Sequence, residues 1–591
     1  MTMRMVRYLP LVLLALMCCA RPAKASCGVI TPYTNGSISG TAYVAATANY
    51  SDVSSCAATE QAAKACNDLL VIPAGSASWG TSQLSLSPKT GCASLVPSLT
   101  LQGATVCNGT PGVQITSCTD NTNITIGKDE GIIFTGCNST AFCVFTGITI
   151  TAGTAPSHAL LEMDGTFGQQ SFRAHHFHIK NTSISGGVAT AFNDGYGLVD
   201  HYLFDETSTT PMTPVNVGGD FPSHGYRNWQ DTSGFGTANS IFVEDSLSNQ
   251  VKAGSEGFYD GYFGCRITIR YTTINGNQIG GGHGTDSGGY RGCVMGEFYH
   301  LTVSNSTGTA ELLFNTRSGA YMVHDTTIGG TTAYSGIDLQ YYRISECINA
   351  EAQLWGCAVL TSPGINWTPY NSVITNDQAA YNVANAPNWA ASHSYAAGAI
   401  ISPTSGNAGN GSPYGGYVFY TVSGGTSGGS APTWTQTVGN TVTDGTVTWK
   451  NLGGGGAASL SSGCGFDPSN PDNTGSTSGY SRCFDANGGT YPYRDQPGRA
   501  GQQVLLGNWQ WNNSHTGSQT SAGYTLHTDP ATSTIIVSGT DYTNGSAPPG
   551  YTPYTYPHPL QGAVARPPIP PLNLTIIASL SGFDGSVHLA Q

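Results

Sequence analysis

Charge is what this 591-residue chain has least of. Only 9% of its residues are Asp, Glu, Lys or Arg, and 21 Lys and Arg stand against 34 Asp and Glu. The formal net charge of −13 argues against nucleic acid as a partner, because that binding rests on neutralising phosphates with Lys and Arg. Sparse charge also disfavours helices with charged outer faces. It suits an extended β surface covered by neutral polar side chains and punctuated by 78 glycines. No apolar run long enough to span a bilayer follows the opening residues, so no transmembrane anchor is expected. Neither a C-x-x-C pair nor a His/Cys ligand cluster occurs, which leaves a zinc site without support.

What is present begins with an export signal. Arg4 and Arg7 precede an apolar run from Leu9 to Ala20, and Ala23-Lys24-Ala25 has the form of a cleavage site, so residues 1–25 read as a signal peptide. The expected location is therefore secreted or at the cell surface. Without Cys18 and Cys19, fourteen cysteines remain, an even number that points to disulfides in an exported chain. Close spacing suggests Cys347 with Cys357 and Cys464 with Cys483.

The strongest signal is a repeat. Six segments align, from FRAHHFHIKN at 172–181 to AYMVHDTTIG at 320–329. In register, one column reads His175, Asp200, Glu244, Arg270, Tyr299, His324, and the next reads His176, His201, Asp245, Tyr271, His300, Asp325. Three positions on, Ile179, Phe204, Ser248, Ile274, Val303 and Ile328 form a largely apolar column. The offsets of 25, 44, 26, 29 and 25 residues fit coils of a parallel β-helix, with residues 205–238 as a long loop accounting for the outlier. Within Arg266-Ile267-Thr268-Ile269-Arg270 the two Ile share one face, expected inside, and the two Arg the other, expected at the surface. Ala57–Asn67 reads as a helix before the strands at Leu69–Gly75 and Ser98–Gly103, a cap for the open end of a solenoid.

The opening LLVIPAGSASW and SLTLQGA, the coil GLVDHYLF and the run IFVEDS, CRITIRYTTI, HGTDSGGYRG and GEFYHLTV together resemble secreted bacterial proteins of the pectate-lyase-like superfamily, over roughly residues 55–345. The resemblance implies an all-β, right-handed parallel β-helix. The expected organisation is a β-helix over 26–384, an insert over 385–455, and final coils with a tail over 456–591. The insert's pattern W-x5-Y-x2-G, then YVFY, APTW and DGTVTW, is similar to small carbohydrate-binding modules. Trp389, Tyr395, Trp434 and Trp449 are its candidate sugar-stacking rings, although a unit this small also needs an aromatic core.

Four of the scarce cations, Lys252, Arg266, Arg270 and Arg291, fall within 40 residues. Glu297 stands opposite Thr268 in the register, and His283 lies in HGTDSGGYRG. A polysaccharide lyase needs cations to neutralise a uronate carboxylate and a base to take the neighbouring proton. Arg266, Arg270, His283, Arg291 and Glu297 are the candidate catalytic residues for that chemistry, with Lys252 as a substrate contact. If calcium takes part, Glu256, Asp260 and Asp286 are its candidate ligands. Polar ladders at coil bends can equally satisfy one another. The alternatives are a non-catalytic surface or adhesive protein and a polygalacturonase-like hydrolase, for which Gly282-His283-Gly284 is the one matching element. Polysaccharide is the expected partner throughout.

Overall fold

A computed structural model describes residues 27–35, 38–221, 225–252, 257–284, 291–305, 313–330, 337–339, 357–359, 386–403, 417–435, 439–454, 481–483, 495, 497–516, 524–526 and 536–563. The protein is all-β with few helices, and its strands stack in parallel ladders. Along the chain each coil gives one strand to a first ladder, one to a second and one to a third. Thus Arg266–Arg270 pairs with Met295–Tyr299, Thr273–Asn275 with Thr302–Asn305, and Gly280–Gly282 with Phe314–Thr316, all parallel. The first two ladders share one 21-stranded sheet, and the third forms a sheet of ten strands. This arrangement is compatible with a β-solenoid.

The register read from sequence is the register observed. His175, Asp200, Glu244, Arg270, Tyr299 and His324 are successive strand partners. The apolar column from Ile179 to Ile328 is likewise continuous. The column between them is the corner where the chain passes from the first ladder to the second. Each of its residues is left-handed, with φ of 49° at His176, 50° at His201, 53° at Asp245, 49° at Tyr271, 52° at His300 and 49° at Asp325.

Two expectations need correction. Residues 205–238 are not one loop, since Thr213–Gly218 is a third-ladder strand between Val188–Asn193 and Tyr259–Tyr262. The excursion that lengthens this coil starts after it and includes the helix Tyr226–Gln230. The arginine face of Arg266–Arg270 is not at the surface either, for every residue of that strand is buried.

A single apolar core runs between the ladders from Tyr43 to Ile536. Rings continue from coil to coil, with Phe145, Phe177 and Tyr202 at centroid separations of 5.4 and 4.5 Å. The helix Tyr50–Ala63 starts about two turns earlier than the sequence suggests and packs its Val53, Cys56 and Ala57 against the first strands. Pairing in the first ladder resumes after the insert, where Asn508–Trp511 joins Ala320–His324. Five disulfides close short loops, Cys27–Cys56, Cys66–Cys92, Cys107–Cys118, Cys137–Cys143 and Cys265–Cys293, and such bonds belong to an oxidising, extracytoplasmic compartment. The pairings suggested for Cys347 and Cys464 lie outside the described residues. Among the described residues no helix is long and apolar enough to cross a membrane.

The left-handed corner supplies a direct test. For an L side chain that conformation costs roughly 1–2 kcal/mol, and glycine avoids the cost. His300 is the exposed member of the column. His300→Gly is expected to stabilise the fold by up to about 1 kcal/mol and His300→Val to destabilise it by at least as much, read from denaturant midpoints.

Candidate functional site

The chain-local cluster of cations and acids is divided by the fold between two faces. Arg266, Arg270 and Glu297 lie on the outer side of the first ladder, whereas Asp260 and His283 belong to the third. Lys252 is exposed on the turn after the strand Leu247–Gln250, and Glu256 and Asp286 lie outside the described residues.

On the first face the charges are sealed. Arg270 donates from Nε to Glu244 at 2.6 Å, from Nη1 to the Tyr299 hydroxyl at 2.9 Å and the Tyr554 carbonyl at 2.6 Å, and from Nη2 to the Thr555 carbonyl at 2.8 Å. Arg266 donates to the carbonyls of Ser233 and Asp231 at 2.7 and 2.6 Å. Arg291 pairs with Asp495 at 2.8 Å and lies over the Trp229 ring. Glu297 accepts from the Gly236 amide and the Tyr551 hydroxyl, both at 2.8 Å, and burial pushes its carboxyl up to about 7. Over Arg270 and Glu297 the cover is the C-terminal segment from Tyr551 to Gln561, and over Arg266 it is the excursion around Asp231 and Ser233.

The same face carries the one described grouping of metal-ligand type, His176, Asp200 and His201. Its geometry does not suit a cation. Both Asp200 oxygens accept from Arg173 at 2.8 Å. His201 faces Asp200 through Nδ1 at 2.7 Å and the carbonyls of Thr110 and Val113 through Nε2 at 3.0 and 3.1 Å, so both nitrogens act as donors. Its pKa is accordingly raised, burial working against the Asp200 contact. His176 stacks on it at 4.3 Å with planes 17° apart, and in-plane lone pairs of parallel rings do not converge on one ion.

The third-ladder face holds chemistry of another kind. Leu161-Glu162-Met163-Asp164 alternates, so Leu161 and Met163 enter the core while Glu162 and Asp164 point outward from one strand. The Asn193 amide donates to both carboxyls, to Glu162 at 2.9 Å and Asp164 at 3.1 Å. Burial, then the charges of Asp164 and Glu130, raise Glu162 to about 8, and burial raises Asp164 as well. Asp194, accepting from the Phe221 amide at 2.6 Å, is lifted to about 7 by burial with Asp164 and Asp220 nearby. Glu162 Oε2 and the Asn216 side-chain oxygen are buried without a hydrogen-bond partner.

Asp260 is the strand neighbour of Asn216 and stands 3.0 Å from His283 Nε2, with Arg317 3.3 Å from the other ring nitrogen. Half-buried Phe221 and Tyr262 pack edge to face beside these acids at 5.6 Å, and Tyr262 lies within the fields of both Asp260 and Glu162. Of the residues singled out from sequence, Asp260 and His283 are thus brought together here. Glu162, Asp164, Asn193 and Asp194 were missed, although the alternation in LEMD marks two acids on one outward face.

In the insert, Trp434 and Trp449 are interior, 2% and 0% exposed, and form its core with Phe419 and Val447. Asp444 accepts from the indoles of Trp389 at 2.8 Å and Trp449 at 3.0 Å. Of the four candidate rings, Trp389 and Tyr395 keep a solvent-facing edge.

Proton linkage gives the face a measurable signature. Glu162 and Asp194 hold protons in the folded protein to about pH 8 and 7, above the ordinary carboxyl values of 4.5 and 3.8. Their contribution is therefore complete in acid and lost as pH rises through those folded values. Buried His176 and His324, lowered to about 4, act the other way and lose stability as pH falls below 6.5. The melting temperature is expected to decline between pH 6.5 and 8, and the decline to flatten in Glu162→Gln and Asp194→Asn, by calorimetry across that range. No protein-family model, curated protein or solved structure matches this chain.

Proposed function

We propose that the chain is an extracytoplasmic glycan-active protein on a right-handed parallel β-helix, and that it hydrolyses glycosidic bonds at Glu162 and Asp164. The carrying observation is the carboxyl pair gathered on one amide, one member holding its proton to about pH 8, beside half-buried aromatic rings. Glycoside hydrolysis needs two carboxyl groups in different protonation states. Glu162 is the general acid for the leaving oxygen, and Asp164, ionised while Glu162 holds the proton, is the nucleophile. Since both reach one nitrogen, the bound oxygens lie within about 6 Å of each other. That upper limit is shorter than the roughly 6.5–9.5 Å that inverting enzymes need for a water between their carboxyls. Phe221 and Tyr262 offer ring faces for sugar stacking, and Trp389 and Tyr395 of the insert offer a second contact.

Elimination at a uronate is less well supported, because the guanidinium groups of Arg266, Arg270 and Arg291 are committed to internal acceptors. A screen of neutral and acidic polysaccharides that follows reducing ends, ultraviolet absorbance and product configuration tests the proposal. Reducing ends without an unsaturated product, with net retention and a loss of at least about 100-fold in Glu162→Gln and Asp164→Asn, are expected. An unsaturated product would replace hydrolysis with lysis. Binding without turnover of any polymer would assign the chain to display, and loss of that binding in Trp389→Ala would place it on the insert.

A further inference from the structure

The face sealed by the C-terminal segment has the construction of a binding groove. Its floor is the outer side of the first ladder, where Phe142, Val144, Leu198 and Phe242 pack under Leu560 and Tyr554. One wall is the loop pinned by Cys107–Cys118, which reaches Asp245 through the Gly112 amide. The other is the excursion after Gly218, fixed by Arg266 on its carbonyls. Both walls meet the segment through glycine. A Cβ at Gly236 would stand 2.1 Å from the Thr552 carbonyl oxygen, and one at Gly112 3.1 Å from Pro557.

The segment runs across the strands, along the direction in which the coils stack. Tyr551 engages Glu297, Tyr554 and Thr555 engage Arg270, His558 engages Glu244, and Leu560 reaches Arg173, four coils from Glu297. It therefore has no ladder of its own to satisfy its main chain. Pro553, Pro557 and Pro559 also lack N–H groups, so carbonyls outnumber amide donors and the groove has to supply donors. Arg173 and Arg270 do so on the carbonyls of Leu560, Tyr554 and Thr555. Glu244 takes the His558 amide and the Gln561 side chain, and Asp245 takes the Tyr556 hydroxyl at 2.6 Å. Tyr556 lies flat on Tyr271 at 3.5 Å. Recognition of main-chain carbonyls together with aromatic and proline rings is how grooves read extended, proline-rich peptides.

We infer that this face is a peptide-binding groove for a Tyr- and Pro-rich segment, occupied in cis as a releasable strap by residues 551–561, the last of which enter the short helix Pro559–Ala563. The stretch Gly545–Gly550 that leads into it is largely exposed, so the connection on its N-terminal side is accessible. The proposal is independent of the hydrolytic reading, which rests on the other face.

The test uses the full chain with a protease site placed in the 545–550 stretch. After cleavage, a fluorescent synthetic peptide of residues 551–563 is added to the nicked protein under native conditions. Exchange of the labelled peptide for the nicked strap, well below the melting temperature, is expected. A peptide with Tyr556→Ala or Leu560→Ala is expected to compete at least tenfold more weakly. Retention of the strap until global unfolding would overturn the inference and make residues 551–561 part of the core. Equal competition by the substituted peptides would overturn it too, since the contacts described would not be those that bind.

Discussion

The left-handed corner between the first and second ladders is the constraint on which the outer chemistry depends. Side chains alternate with a period of two on either side of it, so one residue held at φ near 50° fixes which positions of both strands face the core. A slip by one residue at the Tyr271 corner would turn Arg270 inward and Ile269 out. The conformation in turn restricts the corner to residues that tolerate it, and His and Asp fill five of the six positions. Tyr271 is the exception by type, and its ring is the one on which Tyr556 of the strap is laid.

That dependence explains what was legible in the sequence. Register could be read column by column from Ile179 to Ile328 and from His175 to His324, because strand alternation and coil spacing are local properties. What covers a column is not local. The acceptors that take Arg270 stand 284 and 285 residues further along the chain, and no pattern near Arg270 announces them. Counting cations along the chain also joined residues that the fold separates, since Arg266 and His283 are close in sequence but sit on different ladders. The pair Glu162 and Asp164 escaped for the opposite reason. It adds no unusual charge density, and its meaning comes from Asn193 on the next coil.

Sealing the arginine face places whole ions out of water, which is costly unless every donor and acceptor is met. Arg270 meets that condition through a carboxylate, a phenol and two carbonyls, and Arg173 through both oxygens of Asp200 and the strap. Removal of the strap would open these guanidinium groups to solvent together with the apolar floor of Phe142, Val144, Leu198 and Phe242. An open face would therefore offer a peptide both polar anchors and an apolar floor.

Pairing, rather than burial, distinguishes the two faces. Asp200 is wholly buried, yet Arg173 holds it well below the ordinary carboxylate range. Glu162 is nearly as buried, and with Asp164 and Glu130 as its charged neighbours it moves the other way, to about 8. A carboxylate locked to a guanidinium has lost its freedom to exchange a proton and serves the architecture of the groove. A carboxyl pressed against another carboxylate, with an oxygen still unmet, keeps a proton it can give up near neutral pH. The same repeat, presenting acids outward on two of its ladders, thus yields carboxylates held ionised where cations were supplied and carboxyls that keep their protons where they were withheld.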